Sequence, residues 1–334
     1  MTTNPMIEQL RLETQQLMDE MRKREEQERE TYRRLLVNGC EMLRSAVTTA
    51  ECLLEPILPR TGVVALVGTS DSGKSTLLRS LAMAVASGEE YFLGFRLHAK
   101  HRSAIYIATE DDAQAIGPLM QRQLAELSMP PEAYATLDFI FELDNLIPNL
   151  DAMLEDKPRD VVIVDAFADL YTGPMNENNR VRNFINQFSQ LAVKHSTLVI
   201  FLHHTGKRTE SLAPSKHNAI GSQGFEAKMR VMMELRPDPV RHDIRHLCIV
   251  KGNYLSEEYK HDSFELRFTS ALNFEATGNR VPFAMLKERD TEKESAEAER
   301  IALMHALREE GKSFREIAEM MDCSPATVTS ISLN

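Results

Sequence analysis

Eight consecutive residues, Gly68–Ser75, read GTSDSGKS, and their types and spacing suit them to hold a chain of phosphates. Gly68 and Gly73 allow backbone geometry that side chains would obstruct. The loop N–H groups and the N-terminus of a following helix can then point at a β-phosphate. Lys74 brings a positive charge to the β- and γ-phosphates, and Ser75 offers its hydroxyl to Mg²⁺. Thr69, Ser70, Asp71, Ser72 and Thr76 complete the residues expected around ATP. Asp71 is the odd member, because a carboxylate repels phosphate. It is expected to occupy the turn with its side chain in solvent, which makes for modest affinity and turnover that need not be fast.

A phosphate loop needs an acid on the magnesium side. VVIVDAF places Asp165 at the carboxyl end of a buried strand, where ligands of open α/β sheets collect. Ser75 and Asp165 are therefore the expected Mg²⁺ residues. Hydrolysis also needs a group that orients or deprotonates water. YIATEDD ends another strand in Glu110, Asp111 and Asp112. Glu110 comes first and is assigned to face the γ-phosphate, while Asp111 and Asp112 suit a helix start. His203 and His204 end a further strand and must point to opposite sides of it. His204 is favoured as a γ-phosphate sensor, with a hydrogen-bonded structural histidine as the alternative. The expected catalytic set is thus Lys74, Glu110, Asp165 and His204.

Strands alternate with helices around these residues. Apolar runs at 63–67, 103–109, 137–143, 161–165 and 197–203 read as strands, and helices are expected after Lys74, after Asp112 and over 178–195. This pattern gives an α/β fold with a mostly parallel central sheet flanked by helices. Residues 205–218 are polar and read as a loop, followed by a short helical element or turn. Segments 230–235, 245–251 and 263–268 read as later strands of hairpin type. An N-terminal helical arm (1–50), a core (51–285) and a charged linker with a helical tail (286–334) complete the organisation.

Hydrophobic residues make up 43% of the 334, enough for a large core, while the net charge of −11 argues against a protein that coats duplex DNA over a broad face. The four cysteines are scattered without a CxxC pair, so zinc and disulfide frameworks are not suggested. No secretory leader pattern and no apolar run of about 20 residues is present, and a cytoplasmic setting without membrane contact is expected.

In this order, GTSDSGKSTLLRSLAMAVASG, YIATEDD, VVIVDAFADL, FLHHTGK and GSQGFEAKMRVMMEL resemble the RecA-like P-loop ATPases, particularly the RepA/DnaB-like hexameric helicase group, over about residues 52–270. The resemblance implies that Glu110 activates water. It implies a homo-oligomeric ring, with the loop over 205–218 (Lys207, Arg208, Lys216) near a central channel and single-stranded DNA, although a solvated loop is the plain alternative. It also implies a basic residue supplied in trans. Lys251 matches, but Asn253 stands where Arg is common, and Lys228 and Arg230 are further candidates. This departure puts rapid hydrolysis in doubt.

The tail GKSFREIAEMMDCSPATVTSISLN resembles a helix-turn-helix. A helix from Phe314 to about Met321 and a turn at Asp322 and Cys323 lead to a second helix, with Ser324 as cap and Pro325 in its first turn. Thr327, Thr329 and Ser330 could face DNA, but this helix lacks Lys and Arg, so protein contact or a structural remnant remain alternatives. The expected function is ATP hydrolysis coupled to work on DNA in plasmid or mobile-element replication. The competing expectation is an ATP-dependent DNA-binding regulator or partner loader that does not separate strands. A small-molecule kinase is disfavoured by Glu110 and HHTGK.

Overall fold

The computed structural model describes residues 14, 15, 17, 18, 21–23, 36–44, 51–127, 129–206, 209, 211–220, 223–287, 301–321, 323 and 324. The chain divides into two units, Met1–Ala50 and Glu51–Asn334. In the first, residues 14, 15, 17, 18 and 21–23 are helical and Gly39–Arg44 forms a short helix. Asn38 opens it, its Oδ1 accepting from the backbone N–H groups of Cys40 at 2.8 Å and Glu41 at 3.4 Å. Such a cap competes with continued helix. The run expected to be helical from residue 5 to about 48 is accordingly interrupted over 36–38.

The second unit holds thirteen strands among its described residues: β1 (Cys52–Glu55), β2 (Leu58–Pro59), β3 (Gly62–Gly68), β4 (Tyr91–Phe92), β5 (Phe95–Leu97), β6 (Ala104–Ala108), β7 (Leu137–Ile140), β8 (Val161–Asp165), β9 (Leu198–His204), β10 (Val231–Pro237), β11 (Ile244–Gly252), β12 (Asp262–Phe268) and β13 (Phe274–Pro282). Nine form one sheet in the order β13-β12-β11-β10-β3-β9-β8-β6-β7. From β7 to β10 all neighbours are parallel, and β10 to β13 make an antiparallel meander. A small antiparallel sheet, β2-β1-β5-β4, was not foreseen, because strands of two to four residues carry too little pattern.

β3 shows why the central strands read as unbroken apolar runs. Val64 and Leu66 join one core cluster, while Val63, Ala65 and Val67 join another on the opposite face. Alternation on a strand sends neighbours to opposite faces, so a sheet covered on both sides needs both sets apolar. Helix α1 (Lys74–Ser87) packs on the first face through Leu77, Leu78 and Leu81. Helices α3 (Leu146–Asp156) and α5 (Asn178–Lys194) cover the second through Leu150, Leu154, Ile185 and Phe188. Each such fully buried side chain contributes about 1.5–3 kcal/mol. α1 ends at Gly88, whose φ of 72° is left-handed and whose N–H donates back to the Ala84 and Val85 carbonyls.

Several expectations change. α3 was not anticipated, since Pro148 looks like a breaker; it lies in the first turn, where the missing N–H costs nothing. β7 stops at Ile140 rather than residue 143. β10 is not simply a hairpin strand: it pairs in parallel with β3 and antiparallel with β11. β13 is largely exposed and polar, so alternation could not reveal it. Helix α2 (Ala113–Leu124) is capped by Asp112, whose Oδ1 accepts from Ala115 N at 2.9 Å. Helix α4 (Phe167–Leu170) follows β8, and α6 (Gln223–Lys228) precedes β10.

In the tail, 301–309 are helical and α7 (Phe314–Met320) follows a turn, with Ser313 and Glu316 closing a capping box. Met304, Leu307, Ile317 and Ala318 make a small core there. Pro325, Thr327, Thr329 and Ser330 lie outside the described residues. Among the described residues no helix is long and apolar enough to cross a membrane.

Candidate functional site

Gly68 ends β3 with no room for a side chain: a Cβ there would stand 2.4 Å from the Leu235 carbonyl oxygen of β10. The loop then turns through Asp71 at φ 61° and Gly73 at φ 94°. Asp71 is exposed, as expected of a carboxylate in this position. Ser72 is buried and its hydroxyl donates to the Thr69 carbonyl at 2.9 Å. Lys74 also reaches that carbonyl, Nζ to O at 2.6 Å. Burial lowers the Lys74 ammonium to about 8, against the pull of Asp165, Glu110 and Asp71.

Asp165 stands at the end of β8, opposite Ala108 of β6. Tyr106 donates its phenol hydrogen to Asp165 Oδ2 at 2.5 Å, and Ser75 also hydrogen-bonds this carboxylate. Burial nevertheless raises the Asp165 carboxyl above its ordinary range, and burial raises the Tyr106 phenol. Thr109 splices the two strand ends together. Its N–H donates to the Asp165 carbonyl at 2.8 Å, and its hydroxyl accepts from Ala166 N at 2.8 Å. The next residue is Glu110, whose Oε1 lies 3.9 Å from His204 Nε2.

The four expected catalytic residues meet in one cavity of about 380 Å³, lined by the loop residues Ser70, Asp71, Gly73, Lys74, Ser75 and Thr76, by Glu110, Asp165 and His204, and by Phe268 from β12. His203 faces the other way. Its Nε2 donates to the Ile220 carbonyl at 2.6 Å, its ring packs on Phe167 and Phe225, and burial lowers it to about 4. The alternation of a strand thus separates a site histidine from a structural one.

The basic residues fall elsewhere. Lys251 Nζ donates to the Glu226 carbonyl at 2.6 Å. Arg230 donates to the Thr61 carbonyl at 3.0 Å, at the opposite end of β3 from the loop. Lys228 ends α6 and is half-buried. Lys216 pairs with Glu226 at 3.0 Å. Lys207 and Arg208 lie outside the described residues.

Sequence reasoning missed Tyr106, Phe268 and the buried pair Arg79–Gln123, where Arg79 Nε donates to Gln123 Oε1 at 2.6 Å. Gln123 in turn donates to Ser80 Oγ at 2.8 Å and to the Leu272 carbonyl at 3.2 Å. It ties α1, α2 and the β12–β13 turn together. A polar residue inside an apolar helical face was the only available signal.

The donor set fits Mg²⁺ as that ion is usually held, by one or two protein oxygens plus substrate phosphates. Ser75 and Asp165 already share a hydrogen bond, so both oxygens converge on one point. Among the described residues no cluster of three or more His, Cys, Asp or Glu exists that would hold a metal without phosphate.

No curated protein matches the chain. Among solved structures, the ATPase domain of a helicase superposes with a TM-score of 0.51 at 12% identity, covering 65% of this chain and 85% of that one. The RadB recombinase gives 0.46 at 16%, covering 65% and 90%. The sheet order, the loop after β3 and the first of these likenesses make the fold a RecA-like P-loop fold. The AAA domain family matches residues 26–210, a stretch that includes Lys74, Glu110, Asp165 and His204, and the chain belongs to that family.

Proposed function

We propose that this protein hydrolyses ATP on Mg²⁺ and couples the reaction to single-stranded DNA, as a ring-forming motor of the RepA/DnaB-like helicase group. The observation that carries the reading is the convergence of Lys74, Ser75, Asp165, Glu110 and His204 on one cavity. Lys74 exchanges the Thr69 carbonyl for the β- and γ-phosphates. Ser75 and Asp165 hold the metal, which supplies charge neutralisation on the phosphates. Glu110 is exposed and ionisable at the cavity edge, and takes a proton from the attacking water. His204 lies close to Glu110 and begins the loop over 205–218, so it is placed to pass the γ-phosphate state into that loop. Lys207, Arg208 and Lys216 are its proposed DNA contacts, with Lys228, Arg230 and Lys251 as the proposed trans candidates. The N-terminal arm, the core ending near residue 285 and the helix-turn-helix tail are kept as the organisation of this proposal.

The test is phosphate release with and without oligo-dT. Glu110→Gln should bind ATP as the parent does and lose about 10²-fold or more in turnover. Undiminished turnover in that variant would remove Glu110 from the mechanism.

One observation favours a second reading, an ATP-dependent DNA-binding switch that does not unwind. Lys251 is tied to the Glu226 carbonyl and Asn253 occupies the place of a common arginine. Missing such a finger costs about 10³–10⁵ in rate. Light scattering with and without ATP, followed by a forked-duplex unwinding assay on the same sample, separates the two.

A further inference from the structure

β10 carries two charged residues where its neighbours on the sheet carry aliphatic ones. On one face it presents Val231, Met233 and Leu235 to the core. On the other, Met232 is followed by Glu234 and Arg236, both buried. Arg236 Nη2 donates to Glu234 Oε1 at 2.6 Å. What surrounds this pair is almost entirely loop backbone. Glu234 Oε2 accepts from Ser215 N and from Asn218 Nδ2, each at 3.1 Å. Arg236 donates to the carbonyls of Leu212 at 2.5 Å, Thr209 at 3.0 Å and Leu286 at 2.9 Å. Glu234 also sits directly opposite Val67, one residue before the phosphate loop. The same segment is tied at its start, where Thr205 N donates to the Gly68 carbonyl at 3.0 Å.

A buried ion pair adds little net stability compared with apolar residues of similar size. Its worth lies in the geometry that its hydrogen bonds impose, and here those bonds fix a segment that has no apolar anchor pattern of its own. We propose that Glu234 and Arg236 are positioning residues that fasten the segment 209–218 to the strand beside the phosphate loop, and that nucleotide-dependent affinity for single-stranded DNA depends on this fastening while phosphate binding does not. The second half rests on the reading of the 205–218 loop as a nucleic-acid contact.

Removing one partner leaves a buried charge and invites misfolding, so the test uses the double variant Glu234→Met/Arg236→Met in the full chain. A second variant, Arg236→Lys, keeps the charge and the Glu234 contact but cannot span all three carbonyls. Three quantities are measured: ADP affinity by calorimetry, amide hydrogen exchange over 209–218, and binding of fluorescent oligo-dT with a non-hydrolysable ATP analogue. We expect unchanged ADP affinity, exchange over 209–218 faster by about tenfold or more, and an oligo-dT affinity lower by about tenfold. Arg236→Lys should fall between parent and double variant. Parent-like exchange in the double variant overturns the fastening, and parent-like oligo-dT binding despite faster exchange overturns its functional half. A parent chain that binds no oligo-dT sinks the nucleic-acid reading instead, and the exchange arm still decides the fastening.

Discussion

Lys74 gives a pH signature to phosphate binding. The side chain is 5% exposed and burial takes its ammonium from the ordinary 10.5 to about 8. At about 1.4 kcal/mol per pH unit, that fall represents about 3 kcal/mol of unfavourable burial of the charged form. A phosphate chain beside Nζ supplies the missing countercharge, so nucleotide binds the protonated form. Below pH 8 the ammonium is already present and affinity is flat once the phosphates are fully ionised, above about pH 7. Above pH 8 each binding event must take up a proton, and affinity falls towards tenfold per pH unit. Calorimetry with ADP from pH 7.5 to 9.5, in two buffers of different ionisation enthalpy, measures both the fall and the protons. Lys74→Arg keeps a fixed charge and should remove the pH dependence, whatever its absolute affinity. Constant affinity across that range in the parent, with enthalpies that do not depend on buffer, would refute the reasoning.

Two further expectations concern the frame of the site. Gln123→Leu strands the buried Arg79 Nε and should cost about 3 kcal/mol in urea denaturation, while Gln123→Glu, which offers Arg79 a carboxylate, should be tolerated; equal stability of the Leu variant and parent would dismiss the tie. His203 is lowered to about 4 by burial, below the ordinary 6.5. Its contribution of about 3 kcal/mol is complete above pH 6.5 and is lost as the pH falls towards 4, because the unfolded chain takes up the proton first. The difference between parent and His203→Gln, measured by denaturation at pH 7 and pH 4.5, should shrink at the lower pH.

The residues that touch phosphate, metal and water were legible because each ends an apolar strand, and a strand end is fixed by where the apolar run stops. Gly68, Glu110, Asp165 and His204 all have this property. The two histidines could be sorted by alternation alone. Asp71 was legible as an exposed, strained residue, and φ 61° is what it adopts. Residues that support the site were not legible, because their signal is tertiary. Nothing local to YIATEDD says that Tyr106 will reach Asp165, and nothing local to RVMMELRP says that Glu234 and Arg236 will receive a loop from upstream. Phe268 becomes a wall of the cavity only because the meander folds back beside the phosphate loop. The basic candidates show the opposite failure. Lys216 and Lys251 looked free for outside partners, yet both are tied within the chain.

The position of β10 has a consequence for how the protein is made. The family match stops at residue 210, but the strand that flanks β3, and whose Leu235 carbonyl closes on Gly68, comes later in the chain. During synthesis, β3 therefore emerges with one edge open and stays so until residues 231–237 have left the ribosome. An open central edge of Val, Ala and Leu residues is a template for unwanted pairing, and a contact this distant in sequence forms slowly. A fragment cut at the family boundary would carry every residue of the chemistry and still lack the strand that keeps the phosphate loop in shape.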